Sequence, residues 1–156
     1  MICYAESLYI VPVQYFPRNS TVKKVEAPMP ITPKVLIIDE SATSSLFMST
    51  ALRRAGYSVS TAVNGDEGIA KALQERPHCL LLDVVLPGTS GFSICRKLRS
   101  MDPYHTLSII IVSSKNTKMD LAWGLRQGAD RYLPKPFSEE TLLQTVAEVL
   151  SQRHRA

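Results

Sequence analysis

Asp83 closes the apolar run Cys79-Leu80-Leu81-Leu82 and is followed by Val84-Val85-Leu86-Pro87-Gly88, which puts a carboxylate at the tip of a strand expected to be buried. A charge in that position must be paired, bound to a metal or used chemically. Asp39 and Glu40 end a second apolar strand, Val35-Leu36-Ile37-Ile38. Lys135 follows a third in Tyr132-Leu133-Pro134-Lys135-Pro136. Three carboxylates and one ammonium at strand ends are the groups a phosphoryl-and-metal site needs. Three acids so close repel one another and resist joint ionisation unless a cation joins them.

The elements that must carry these groups can be read from Lys34 onward, where short apolar runs alternate with segments of helical period, five of each. That alternation predicts parallel strands joined by helices. Strands are expected at 34–38, 57–62, 79–83, 108–112 and 131–133. The first helix starts near Ser41 or Ala42, buries Leu46 and Leu52, and stops at Gly56, a suitable glycine beyond the C-cap. The second covers about 67–75 after the turn residues Asn64-Gly65-Asp66 and ends before Pro77. The third starts after Gly91 and is closed by Asp102-Pro103, and the fourth covers roughly 119–127. Ser138 caps the fifth, with Glu139 and Glu140 in its first turn, where the helix dipole favours negative charge. Five βα units are too few for a closed eight-stranded barrel, so the expected fold is an α/β, doubly wound, five-stranded parallel sheet with helices on both faces. Such sheets carry their sites at the carboxyl ends of strands, and Asp39, Glu40, Asp83, Ser113 and Lys135 all fall there.

The 156 residues, 45% hydrophobic and 21% charged, suit one soluble domain. The net charge of +4 divides into +1 over residues 1–33 (three basic, two acidic) and +3 over residues 34–156 (fifteen basic, twelve acidic). The basic residues are scattered rather than striped, which argues against a nucleic-acid partner. Arg53-Arg54 and Arg96-Lys97-Leu98-Arg99 read as solvated helix faces. Cys3, Cys79 and Cys95 form no C-x-x-C pair, so neither a disulfide framework nor a structural zinc site is indicated, and a reducing, cytoplasmic setting fits. Cys79 and Cys95 read as small core residues. No apolar stretch reaches the length of a membrane span, and no signal peptide is evident.

Residues 1–33 hold five of the ten prolines and read as an extension and linker to a domain over 34–156. Leu8-Tyr9-Ile10-Val11 with Tyr15-Phe16 is apolar enough to dock on a surface, while residues 18–33 read as a partly extended linker.

Taken together, the segments I-I-D-E-S, L-L-L-D-V-V-L-P-G-T-S-G, I-I-I-V-S-S and D-R-Y-L-P-K-P-F resemble those of the receiver domains of two-component response regulators, over residues 34 to about 151. The resemblance implies a flavodoxin-like sheet of order 2-1-3-4-5, an order for which a chemotaxis regulator of this family is a standard example. It implies that Asp83 is the phosphoacceptor, charged by a sensor histidine kinase or a histidine phosphotransfer protein. Mg²⁺ is then held by Asp39, Glu40, Asp83 and the Val85 carbonyl. Glu40 departs from the commoner Asp of the pair. Lys135 pairs with the acceptor and later with phosphate, and its bond to Pro136 is cis. Ser113 and Tyr132 are the switch residues, acting on a downstream target protein through the surface of helix four, strand five and helix five. Val85 and Lys115 stand where family members vary, and they are expected to set part of the phosphoryl lifetime, Val85 by impeding water and Lys115 by holding a phosphate oxygen.

Residues 123–130 resemble the helix-four end of PilH-type receivers of twitching-motility and pilus-linked chemotaxis systems. Trp123, if exposed, would make an interface anchor. Only residues 152–156 follow helix five, so a stand-alone receiver that is not an enzyme is expected. Dimerisation stays open. The alternative is a pseudo-receiver that binds partners without phosphorylation. A haloacid-dehalogenase type phosphatase would need an acid at Val85, and a flavin binder would need a hydroxyl- and glycine-rich loop where Asp39-Glu40 stands.

Overall fold

The computed structural model describes residues 31–102 and 104–153, so the expected extension lies outside the described residues up to residue 30. Five strands, β1 (Lys34–Ile38), β2 (Ser58–Ala62), β3 (Cys79–Leu82), β4 (Ser108–Ser113) and β5 (Arg131–Pro134), form one parallel sheet in the order β2-β1-β3-β4-β5. This is the doubly wound arrangement expected. Helices α1 (Ala42–Arg54), α2 (Gly65–Glu75), α3 (Gly91–Arg99), α4 (Lys118–Arg126) and α5 (Glu139–Arg153) connect and follow the strands. Among the described residues no helix is long and apolar enough to cross a membrane.

Side chains alternate across a strand, so each apolar strand supplies two cores. Leu36, Ile38, Leu80, Leu82, Ile109 and Ile111 face one layer with Ile94, Cys95 and Leu98 of α3 and Ala72 of α2. Val35, Ile37, Leu81, Ile110 and Val112 face the other, with Met48 and Leu52 of α1 and Leu142, Val146 and Val149 of α5. Each fully buried Leu or Ile contributes about 1.5–3 kcal/mol of transfer free energy. Cys79 and Cys95 are core residues as expected, and burial pushes both thiols up, that of Cys95 to about 11.

Local signals set the helix ends. Ser41 caps α1, whose C-cap is Ala55, and Gly56 follows at φ +94°. Asn64, read as a turn residue, accepts from the Glu67 amide and starts α2 two residues earlier than expected. Arg76 ends α2 in the left-handed region just before Pro77, and α3 stops at Ser100, ahead of Asp102. Pro33 belongs with the fold: its carbonyl accepts from the Ser58 amide at 3.0 Å.

Two expectations need correcting. Leu46 is not buried but 66% exposed, because α1 turns Met48, Ala51 and Leu52 to the sheet instead. Arg99 is not on a solvated face. It pairs with Asp130 at 2.8 Å and donates to the carbonyls of Gly128, Leu107 and Tyr104, while Asp130 also accepts from the Ile109 amide. The guanidinium fork binds together the end of α3, the turn after α4 and the starts of β4 and β5.

Candidate functional site

Asp39 follows β1, Asp83 follows β3, Ser113 ends β4 and Lys135 follows β5, so the sheet order sets all four side by side at its carboxyl edge. The crevice between β1 and β3, where the connections change direction, is flanked by the two aspartates. Asp39 is 1% and Asp83 8% exposed.

Lys135 joins them. Its ammonium lies 2.8 Å from Asp39 Oδ2 and 3.0 Å from Asp83 Oδ2. Each second carboxylate oxygen accepts a backbone amide, Ser41 N–H to Asp39 Oδ1 at 2.8 Å and Val85 N–H to Asp83 Oδ1 at 3.1 Å. Burial opposes the Lys135 charge, but the hydrogen bonds to Asp39 and Asp83 and their charges outweigh it and hold its pKa above the usual lysine value. Its own amide donates to the Ser113 carbonyl at 2.9 Å, and the Lys135–Pro136 peptide is cis.

The loop after Asp83 is folded back on itself. Val85–Leu86 pairs antiparallel with Thr89–Ser90, and the Gly91 amide donates to the Val84 carbonyl at 2.9 Å. A Cβ on Gly91 would fall on the Asp83 carbonyl oxygen, so only glycine lets α3 start here. The hairpin leaves the Val85 side chain 45% exposed at the rim.

The expected crowd of three acids does not form. Glu40 is exposed, and among the described residues no group of three or more His, Cys, Asp or Glu side chains stands together as a metal cluster. Two buried carboxylates sharing one ammonium leave a net negative charge and offer only oxygen donors, a set that fits a hard dication such as Mg²⁺.

Ser113 is fully buried, and its hydroxyl accepts from the Lys115 amide at 3.3 Å. Tyr132 reaches the same loop and donates its hydroxyl to the Lys115 carbonyl at 2.5 Å. Burial raises the Tyr132 pKa, with the neighbouring Ser113 hydroxyl working against it. The ring lies on Gly124, the sole buried residue of α4, where a Cβ would come within 2.8 Å of Tyr132 Cδ2. Trp123 and Met119 on the same helix are 49% and 82% exposed. Lys115 is exposed beside the site.

Sequence reasoning missed Gly124, Phe137 and the Arg99–Asp130 pair. A glycine within a nine-residue helix was the readable signal for the first, since an unforced glycine costs a helix about 1 kcal/mol. The other two depend on partners remote in sequence and leave no local mark.

Comparison with known proteins returns the family described as response regulator receiver domain, matching residues 35–147. The chain is similar to the protein PilH of Pseudomonas aeruginosa, 42% identical over 76% of this chain and 98% of PilH. It is 34% identical to PilG of the same organism, over 72% of this chain and 84% of that one. Among solved structures, the chemotaxis response regulator CheY4 of Vibrio cholerae superposes with a TM-score of 0.73 at 34% identity, over 76% of this chain and 99% of CheY4. A putative response regulator of Chloroflexus aurantiacus gives 0.75 at 30% identity, over 78% and 99%.

Proposed function

The chain belongs to the response regulator receiver domain family, and from that premise we propose that it is a phosphorylation-driven signalling module in which Asp83 takes a phosphoryl group from a phosphohistidine of a sensor kinase or phosphotransfer protein. The observation that carries this reading is the single ammonium of Lys135 shared by Asp39 and Asp83 at 2.8 and 3.0 Å. An Asp83 oxygen forms the new bond to phosphorus as the bond to the imidazole nitrogen breaks, and that nitrogen is then protonated from solvent. The Val85 amide holds one Asp83 oxygen and so orients the other. Lys135, already within reach, turns its charge to a phosphoryl oxygen while Asp39 stays behind as its second partner. Asp39, Asp83 and the Val85 carbonyl, with Glu40 at the rim, would hold Mg²⁺, which when bound neutralises charge on the phosphoryl oxygens.

The response runs through Ser113 to Tyr132, whose hydroxyl and ring contact the loop before α4 and α4 itself. The exposed Trp123 and Met119 lie on the surface so affected, where a downstream target protein would bind. The likeness to PilH and PilG supports a place in a cytoplasmic, pilus-linked motility pathway.

The reading is tested by incubating the protein with Mg²⁺ and phosphoramidate and taking an intact mass. The parent gains one phosphoryl group, labile to hydroxylamine, and Asp83→Asn gains none. A parent that never gains mass while still binding its target is a phosphorylation-independent module.

A further inference from the structure

Lys135 follows β5 and Asp39 follows β1, and two strands, β3 and β4, separate these strands in the sheet. No backbone hydrogen bond joins them directly: the Lys135 amide is tied to Ser113 of β4, and β4 reaches β1 only through β3. What spans the gap is the helix layer: α1 begins three residues after Asp39, α5 four residues after Lys135, and both pack on the same face of the sheet.

At the site end of that layer the chain runs from Lys135 through Pro136 into Phe137, whose ring meets Phe47 of α1 with centroids 6.0 Å apart and planes at 54°. Phe137 is half-buried on the α1–α5 core. Phe47 is 42% exposed and is not among the side chains that make up the core beneath it. Besides the shared core, Arg54 at the end of α1 pairs with Glu139 at 3.7 Å, an exposed ion pair and a weak tether. Lysine's flexible stem gives the ammonium many reachable positions, and a steady backbone at its root narrows them towards those on both carboxylates.

We propose that Phe47, acting through Phe137, is a positioning residue that holds the β5–α5 junction against the β1–α1 junction and so keeps Lys135 on Asp39 and Asp83. Its consequence for phosphoryl transfer rests on the function argued above; the placement of Lys135 does not.

The test uses the full chain, Phe47→Ala and Phe47→Tyr. Acylation of Lys135 by the N-hydroxysuccinimide ester of acetic acid, followed by peptide mass and scaled to the exposed Lys97, rises about threefold or more in Phe47→Ala, the size that loss of an aromatic pair implies, and returns to the parent level in Phe47→Tyr. Phosphoryl uptake from phosphoramidate slows in parallel. Unchanged Lys135 acylation in Phe47→Ala overturns the proposal, as does a uniform rise at every lysine, which would mark general loosening. Slower transfer from a protein donor alone, with Lys135 still protected, also overturns it and makes Phe47 a docking residue. Failure of the parent to accept a phosphoryl group would remove the function and leave the acylation result standing.

Discussion

Tyr132 donates its phenolic hydrogen to the Lys115 carbonyl while its ring rests on Gly124, so one side chain of β5 touches both the loop after β4 and the helix that follows it. That loop also gives the Lys115 amide to Ser113. A pull on the Ser113 hydroxyl therefore reaches the root of α4 by hydrogen bonds and its middle by packing.

Removing the hydroxyl alone, Tyr132→Phe, is expected to cost about 1 kcal/mol in urea unfolding and leave the rate of phosphorylation by phosphoramidate at the parent value. Gly124→Ala is expected to destabilise despite its better helix propensity, because overpacking against the Tyr132 ring costs about 1–3 kcal/mol against about 1 kcal/mol gained. A melting temperature above the parent's would show that the ring is free to move away.

Lys135 has its pKa raised in the folded protein, burial being outweighed by its hydrogen bonds to Asp39 and Asp83. The folded value exceeds the unfolded one of about 10.4, so the associated stability is fully present below that pH and is lost as pH rises through the folded value. Urea unfolding of the parent and of Lys135→Met from neutral to strongly alkaline pH should show an alkaline decline in the parent that the variant lacks. Equal slopes in the two would remove the linkage.

Arg99→Ala is expected to destabilise by about 2 kcal/mol or more, since it strips a part-buried Asp130 of its cation and three carbonyls of a donor. Arg99→Lys should recover only part of this, because a point charge cannot reproduce the fork. Chemical denaturation of the three proteins settles the order.

Val85 stands over the site with 45% of its surface exposed, and Lys115 stands beside it. Val85→Asn is expected to hydrolyse the aspartyl phosphate several-fold faster by admitting and orienting water, where a tenfold change equals about 1.4 kcal/mol in barrier. Lys115→Ala is expected to alter the lifetime by removing a charge near phosphate. Decay followed by intact mass at the parent rate in both would discard their role.

Truncation locates the working boundary of the domain. Relative to a chain starting at Ile31, one starting at Lys34 should lose about 1 kcal/mol of stability with the Pro33 carbonyl that holds the Ser58 amide. Comparing phosphorylation rates of the two with the full chain tests whether residues 1–33 regulate anything.

Sequence alone was enough for the sheet, its helices and the four residues at its carboxyl edge, because continuous apolar runs that end in Asp39, Asp83, Ser113 and Lys135 each announce a strand and its tip within a few positions. Strand ends share one edge in any parallel sheet, so the presence of these groups at that edge needed no knowledge of packing, while the strand order that sets them side by side came from the family resemblance. The tertiary structure decided what depends on distance along the chain. Glu40, in the segment before α1, is exposed, and Leu46 faces outward because α1 aims other residues at the core. Arg99 leaves a run of basic residues to bind Asp130, and Phe47 of α1 meets Phe137 in the segment before α5. Local pattern reports the period of an element and where it stops. Which neighbour a side chain meets is fixed only when elements remote in sequence pack, because that choice depends on how the whole layer closes.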